Sequence, residues 1–509
     1  MSNRTLALHP ENPRCLLYLG KPFKILTSAE HYGAVLNADF DYDVYLTEMS
    51  RTGQNATRVF TFYREVEHSI PALGIENTLA PRPEASVMPW QRVAGHGKAA
   101  DGLGKFDLDL WNGAYFDRLK DYVEKCAASG VVCEIVLFCN PYSQDTYDLF
   151  PCSRISNVNG VGGDLEAPSD FMTLDTPSIV AFQERLVRKV VTELNRYDNV
   201  YYEICNEPNI RGEQAEENER RVVGWHAHLA RVIRETEANL RKKHLIAANA
   251  SFIVTVSDEG DPLVRRHEDR SYFENPDVDI VNYHYISEKK AAGGLQFRGP
   301  KNAGDRAGLI WHFLSQRDAY PKPIVFDETF SGIVRGESER YGVNRAEAWE
   351  MILSGGAGYS NLDWSFTPSD EAGSGRAPIA DGRLLDGRPL REWIGILHKL
   401  LAHYDLGALS PATGVLPDDI PGYGYAASAD GSGRYILYFV DKALHRLNAC
   451  EARSLNVALT LPPGRYAVRT LDPKSGDTSD PFDVDSDGTA ALEVPSFADD
   501  VAVLVAKLA

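Results

Sequence analysis

Short apolar runs alternate along the chain with longer stretches in which apolar residues return every three or four positions. Eight runs read as strands: FKILTS (23–28), ATRVFTF (56–62), VVCEIVLF (131–138), NVYYEIC (199–205), LIAANAS (245–251), VDIVNYHY (278–285), PIVFDE (323–328) and GYSNLDW (358–364). They are continuous in Val, Ile, Phe and Tyr, as strands covered on both faces should be. The stretches between them have a helical period. YFDRLKDYVEKCAASG (115–130) puts Phe116, Leu119, Tyr122, Val123 and Cys126 on one stripe and stops at Gly130. A second helix opens at Thr176-Pro177, a cap followed by a first-turn proline, and LREWIGILHKLLAHY (390–404) reads as the last. Strand and helix alternating eight times predict an α/β chain closed as a (β/α)8 TIM barrel. CLLYL and FKILTS, joined through Gly20-Lys21, predict a hairpin ahead of it.

Three connections are long: 63–110, 139–173 and 365–389. All three follow strand C-termini, the face on which barrels build sites. From about residue 408 the pattern changes to short strands broken by Gly, Pro, Asp and Asn, with no helical stretch between them. The chain therefore divides into a barrel over 1–405, hairpin included, and a smaller all-β sandwich over 406–509.

Charge narrows the partners. The net charge of −19 would repel phosphate backbones and anionic lipid, so neither nucleic acid nor a membrane is an expected partner. No apolar run approaches the ~20 residues of a membrane span, and MSNRTLALHPENPR lacks the apolar core of a leader. Seven scattered cysteines show no paired zinc spacing, and those in strands pack as small hydrophobes. Reduced thiols and a cytoplasmic location are expected. No glycine-rich phosphate loop, metal motif or Ser/His/Asp order stands out, so neither cofactor nor metal is implied.

The chemistry begins at NVYYEICNEPNI (199–210), where an apolar run ends on Asn206-Glu207-Pro208. A carboxylate at a strand end is rigid, partly desolvated and near the mouth, which suits a general acid. The seventh strand also ends on a carboxylate, Glu328 in KPIVFDETF. Strands four and seven face each other across an eight-stranded barrel, so the two glutamates can act as a pair on a glycosidic bond. Alternation lets only one of Asp327 and Glu328 point inward. Arg58, charged in an apolar strand, needs a partner. Glu203 shares parity with Glu207 and reads as a buried structural carboxylate paired with a base.

These residues resemble the clan A glycoside hydrolases, whose (β/α)8 barrels carry glutamates after strands four and seven. The resemblance covers roughly 15–405, and a β-sandwich is a common appendage in the clan. It implies that Glu207, preceded by Asn206, is the acid/base and Glu328 the nucleophile. It implies that Arg58 holds the nucleophile and that Trp364 in NLDWSF is the floor for the sugar. The clan's His-x-Tyr after strand six is altered here: NYHYI places Ile286 two residues after His284, so the tyrosine expected on the nucleophile is Tyr285 or Tyr283, with Tyr285 preferred. His284 is either a substrate contact or a satisfied core histidine. His31, Tyr32 and Asn140 are expected sugar contacts. Trp90 and Trp111 either stack a distal sugar or pin their loop; Trp225, Trp311, Trp349 and Trp393 fall in helical stretches and pack.

The expected activity is retaining hydrolysis of a β-glycoside or oligosaccharide by double displacement, Glu207 having the higher pKa of the pair in the free enzyme. A transglycosidase would use the same residues with another acceptor. A non-catalytic sugar-binding barrel would lack one of the carboxylates.

Overall fold

The computed structural model describes residues 4–30, 32–67, 69–70, 74–208, 215–250, 253–256, 262–265, 269–284, 289–291, 294–296, 314, 320–329, 341–378, 384–445 and 450–508. All eight expected strands are present: β1 (Ile25–Glu30), β2 (Ala56–Phe60), β3 (Val132–Cys139), β4 (Val200–Asn206), β5 (Ile246–Asn249), β6 (Ile280–His284), β7 (Ile324–Glu328) and β8 (Gly358–Leu362). They form one parallel sheet in which β2, β3, β4, β5, β6, β7, β8 and β1 are successive neighbours. Between β1 and β2 the seam is closed largely by side chains. Asn55 N donates to Leu26 O (3.2 Å), Asn55 Oδ1 accepts from Leu26 N (2.8 Å), and Gln54 Oε1 accepts from Ser28 N (2.7 Å).

Helices wrap the barrel. α1 (Tyr42–Thr52) is capped by Asp41, which accepts from Asp43 N, and is ended by Gly53 at φ +74. α2 (Gly113–Ala128) is capped by Asn112 and buries the predicted stripe of Phe116, Leu119, Tyr122, Val123 and Cys126. α3 (Pro177–Leu194) starts on its first-turn proline, although the Thr176 hydroxyl makes no capping bond. α4 (Ala215–Glu237), α5 (Asp269–Glu274), α6 (Tyr341–Leu353) and α7 (Arg388–Leu401) follow, and a short helix, Gln144–Asp148, lies in the connection after β3. Apolar side chains from the outer strand faces and the helices form the main core.

The N-terminal end of the barrel is plugged. Strands 7–8, 16–18 and 21–23 form a small antiparallel sheet, and the predicted hairpin is the pair 16–18 with 21–23. Leu16 and Tyr18 cluster with inward residues at the strand bases, among them Ile25, Ala56, Val132, Tyr201, Ala247, Ile280, Val325 and Ala357. That apolar floor leaves the C-terminal end as the open one.

The long connection 63–110 contains an antiparallel hairpin, Trp90–Lys98 with Gly104–Trp111. Trp90 stacks on Trp111 (5.3 Å) and on Phe182 of α3 (4.8 Å), so of the two roles open to it, Trp90 pins the loop. The C-terminal region builds a six-stranded antiparallel sheet and a two-stranded pair, Arg453–Leu459 with Ala490–Phe497. One feature departs from the expectation of strands alone: a short helix, Lys442–His445, starts where Asp441 Oδ1 accepts from Ala443 N (2.8 Å). The seven cysteines form no disulfide with one another, and six of them are buried. Among the described residues no helix is long and apolar enough to cross a membrane.

Candidate active site

Above the apolar floor the barrel interior turns polar. Arg58 on β2, Glu134 on β3, Glu203 on β4, Asn282 on β6 and Asp327 on β7 are all buried. Strand pairing sets several of them side by side: Arg58 lies opposite Glu134 and, across the next strand, Val136 lies opposite Glu203. The Arg58 guanidinium donates to Glu203 Oε2 from Nε (2.8 Å) and also from Nη2. Glu134 lies 3.5 Å from Arg58 and accepts from Tyr201 (2.8 Å) and Asn282 (2.9 Å). Asn282 also donates to Asp327 (2.6 Å). A charge placed here without partners would be costly, and the cluster supplies them. Burial, opposed by Arg58, pushes the Glu203 carboxyl up to about 7. Burial together with Glu203 and Asp327 raises Glu134 well above the ordinary carboxylate range.

The next layer holds the two expected glutamates. Glu328 Oε2 accepts from Arg58 Nη1 (3.1 Å) and from the Tyr32 hydroxyl. Tyr32 stacks on Phe60 of β2 (4.4 Å), which fixes its ring. Glu207 follows β4 with φ +46, a left-handed backbone that non-glycine residues seldom adopt. Its side chain is 14% exposed against 5% for Glu328. Glu207 Oε2 accepts from the Tyr142 hydroxyl (2.7 Å), and its Oε1 lies 3.3 Å from His284 Nδ1. His284 Nδ1 is also 3.7 Å from Glu328 Oε2, while Nε2 is 3.3 Å from Asp327 Oδ1. Burial would remove the proton from this imidazole, but Asp327 and Glu328 outweigh it and hold its pKa well above the ordinary 6.5. His284 is thus set among three carboxyl groups, with Nδ1 beside Glu207 and Glu328 and Nε2 beside Asp327.

The other expected residues fall as follows. Asn206 Oδ1 accepts from Arg58 (2.9 Å) and its amide donates to Tyr142 Oη (3.0 Å) and Cys139 Sγ (3.3 Å). Asn140 is engaged with backbone: Oδ1 accepts from Tyr142 N (2.9 Å) and Nδ2 donates to Glu207 O (3.0 Å). Trp364 is half-buried just past β8. His31 and Tyr285 lie outside the described residues, as does Trp311. Tyr283 is buried in β6, and the tyrosine found on Glu328 is Tyr32, which had been expected to touch sugar.

One expectation from alternation is corrected. Asp327 and Glu328 both reach the interior cluster, because the register between β6 and β7 shifts at Tyr283/His284. A bulge of this kind re-aims one side chain against the pleat. Two further participants were missed. Glu134, a lone carboxylate in the apolar run VVCEIVLF, carried the same signal as Arg58 and Glu203. Tyr142 sits in a loop after Asn140-Pro141 and carried none.

Two triads, Glu203/His284/Asp327 and Glu207/His284/Glu328, bring their ligand atoms within 4.8 Å of one another, close enough for a metal. Arg58 already bonds Glu203 and Glu328, so one carboxylate of each triad has a cationic partner within the protein.

Residues 87–285 match the family model for cellulase (glycosyl hydrolase family 5). No curated protein matches the chain in sequence. Among solved structures the chain is similar to one described as a glycoside hydrolase, at 14% identity and TM-score 0.60, over 99% of this chain and 97% of that one. It is also similar to two proteins from Bacteroides vulgatus. A putative glycoside hydrolase aligns at 12% identity and TM-score 0.61, over 99% and 83% of the two chains. A glycoside hydrolase family 5 protein aligns at 14% identity and TM-score 0.58, over 99% and 93%. At these identities the structural likeness speaks to the fold.

Proposed function

We propose that this chain, a clan A glycoside hydrolase related to family 5, cleaves β-glycosidic bonds with retention of configuration, using Glu328 as nucleophile and Glu207 as acid/base. The reading is carried by the meeting of the two glutamates: an oxygen of Glu207 and an oxygen of Glu328 lie within 4.8 Å of each other. A retaining pair, about 5–5.5 Å between carboxyl groups, needs such an approach. The substrate is a glycoside or oligosaccharide.

The environment of Glu328 suits a nucleophile. Glu328 is the more buried, and it is oriented by Arg58 and Tyr32, donors that favour an ionised, aimed carboxylate. It attacks the anomeric carbon, and Glu207, partly open to solvent, protonates the leaving oxygen. The leaving group departs, and Glu207, now ionised, takes a proton from water. That water breaks the bond between Glu328 and the sugar, restoring both carboxyls. Trp364 at the rim of β8 supplies a ring face for the sugar, as the resemblance implies.

The test uses a panel of nitrophenyl glycosides with Glu328→Gln as control, followed by a 2-deoxy-2-fluoro glycoside of the reactive type. The expected result is a covalent adduct on the peptide carrying Glu328, and at least a 1000-fold loss of kcat on the order of that seen for lost nucleophiles. A product of inverted configuration, or an adduct on another residue, would sink the mechanism.

A further inference from the structure

Among the described residues only Leu19, Tyr142, Glu207 and Asp499 have positive φ without being glycine. Two of the four, Tyr142 at φ +57 and Glu207 at φ +46, meet through one hydrogen bond at the mouth of the barrel. Strained backbone of this kind persists only where its surroundings hold it, and it gathers at functional sites. The surroundings here are explicit. Asn140 N donates to Asn206 O (3.1 Å), and the Asn140 side chain bonds both Tyr142 N and Glu207 O, so the ends of β3 and β4 are laced together. Tyr63 meets the Tyr142 ring edge to face at 6.1 Å.

We propose that Tyr142 is a positioning residue for the acid/base, its hydroxyl linking Asn206 to Glu207 so that the carboxyl is held toward the reacting bond. The proposal rests on the reading of Glu207 as acid/base and deepens it. The direction of the hydrogen bonds follows from their chemistry. The Asn206 amide nitrogen has no lone pair to offer, so it donates to Tyr142 Oη, and the single phenolic proton goes to Glu207 Oε2. The phenol keeps that proton: burial, then Cys139 and Glu207, hold its pKa well above 10. Tyr142 thus favours the ionised carboxylate, the form that must accept a proton from water in the second half of the cycle. In the first half Glu207 carries the proton, and the phenol oxygen can accept from it through its remaining lone pair. One hydroxyl serves both protonation states.

Among the described residues the groups facing Glu207 include Tyr142 and Tyr63 from the loops after β3 and β2, Cys139 at the end of β3, Cys205 on β4, His284 on β6 and Glu328 on β7. His284 holds the other oxygen of Glu207, so loss of the Tyr142 hydroxyl leaves one donor in place and gives a graded effect.

Tyr142→Phe removes the hydroxyl and keeps the ring. A donor to the charged form favours that form, so its loss should move the basic limb of the kcat/KM profile up by about half to one pH unit. kcat should fall about tenfold with KM changed less than about twofold. A second readout needs no turnover: in protein labelled with carboxyl-¹³C glutamate, with Glu207→Gln assigning the signal, the Glu207 titration midpoint should rise in Tyr142→Phe. Tyr142→Leu, which loses the ring as well, should give the same midpoint while melting lower. An unmoved midpoint and limb, with activity merely lowered, would reduce Tyr142 to packing and overturn the proposal. If the wild type hydrolyses no glycoside, the functional reading fails on its own, while the NMR midpoint still decides whether Tyr142 governs Glu207.

Discussion

His284 concentrates the physical chemistry of the site in one ring. Its two nitrogens face Glu207, Glu328 and Asp327, and the folded chain keeps a proton there that the unfolded chain gives up above pH 6.5. The stability this supplies is whole below pH 6.5 and is lost as pH rises through the folded value. Within that window wild-type stability should decline with pH by up to about 1.4 kcal/mol per unit. Urea unfolding of wild type and His284→Asn at pH 6, 7 and 8 measures it: the decline attributable to His284 should be missing from the variant, and equal slopes would mean a neutral ring. Residues of this kind were partly legible in the sequence. Arg58 and Glu203 announced themselves as charges in apolar strands, and Arg58 indeed reaches both Glu203 and Glu328. Tyr142 did not, because a tyrosine in a loop has no pattern to violate, and Tyr32 was expected at the site but on the sugar and not on Glu328.

The strands of the barrel were legible for a related reason. A strand covered on both faces must be largely apolar, and runs such as VVCEIVLF and NVYYEIC are such stretches, while GYSNLDW is among the more polar of the eight. The ends moved by a residue or two, since pairing with neighbours sets them: the run at 199–205 became Val200–Asn206, which carries Asn206 into the sheet. The bulge beside His284 was not legible, because it depends on how two strands meet and not on either alone. Closure of the barrel was equally hidden, resting on the short segment Gln54-Asn55. Asn55 is buried, and its amide satisfies Leu26 N (2.8 Å) and Lys24 O (2.9 Å), groups that the β1 edge would otherwise leave without partners. Asn55→Ala should therefore cost about 2–6 kcal/mol, each of the two buried backbone groups left unpaired being worth about 1–3 kcal/mol. Calorimetry would record it, and a loss under about 0.5 kcal/mol would show that backbone contacts alone close the seam.

At the scale of the whole chain, α6 explains why residues 406–509 accompany the barrel. A barrel helix ordinarily turns one face to water, yet every residue of Tyr341–Leu353 is buried, Arg345, Glu347 and Glu350 included. The C-terminal sheet supplies the cover. Arg345 forms a two-pronged pair with Asp500 (2.8 and 2.5 Å), which also accepts from Tyr438 (2.6 Å). Trp349 stacks on Tyr438 with centroids 5.2 Å apart and planes 10° from parallel, and Ser428 donates to Leu353 O (2.6 Å). The region contains no tryptophan, the side chain best suited to stacking on sugar. We therefore infer that 406–509 props the barrel. Removing one partner of a buried ion pair strands the other charge, so Asp500→Ala should destabilise the chain by about 3–5 kcal/mol. Ending the chain at 405 should expose Trp349 and Arg345 together and yield an insoluble barrel. A truncated protein that stays soluble, melts like the full chain and loses only its retention on polysaccharide would assign the region to binding instead, since a prop cannot be removed without consequence for the helix it covers.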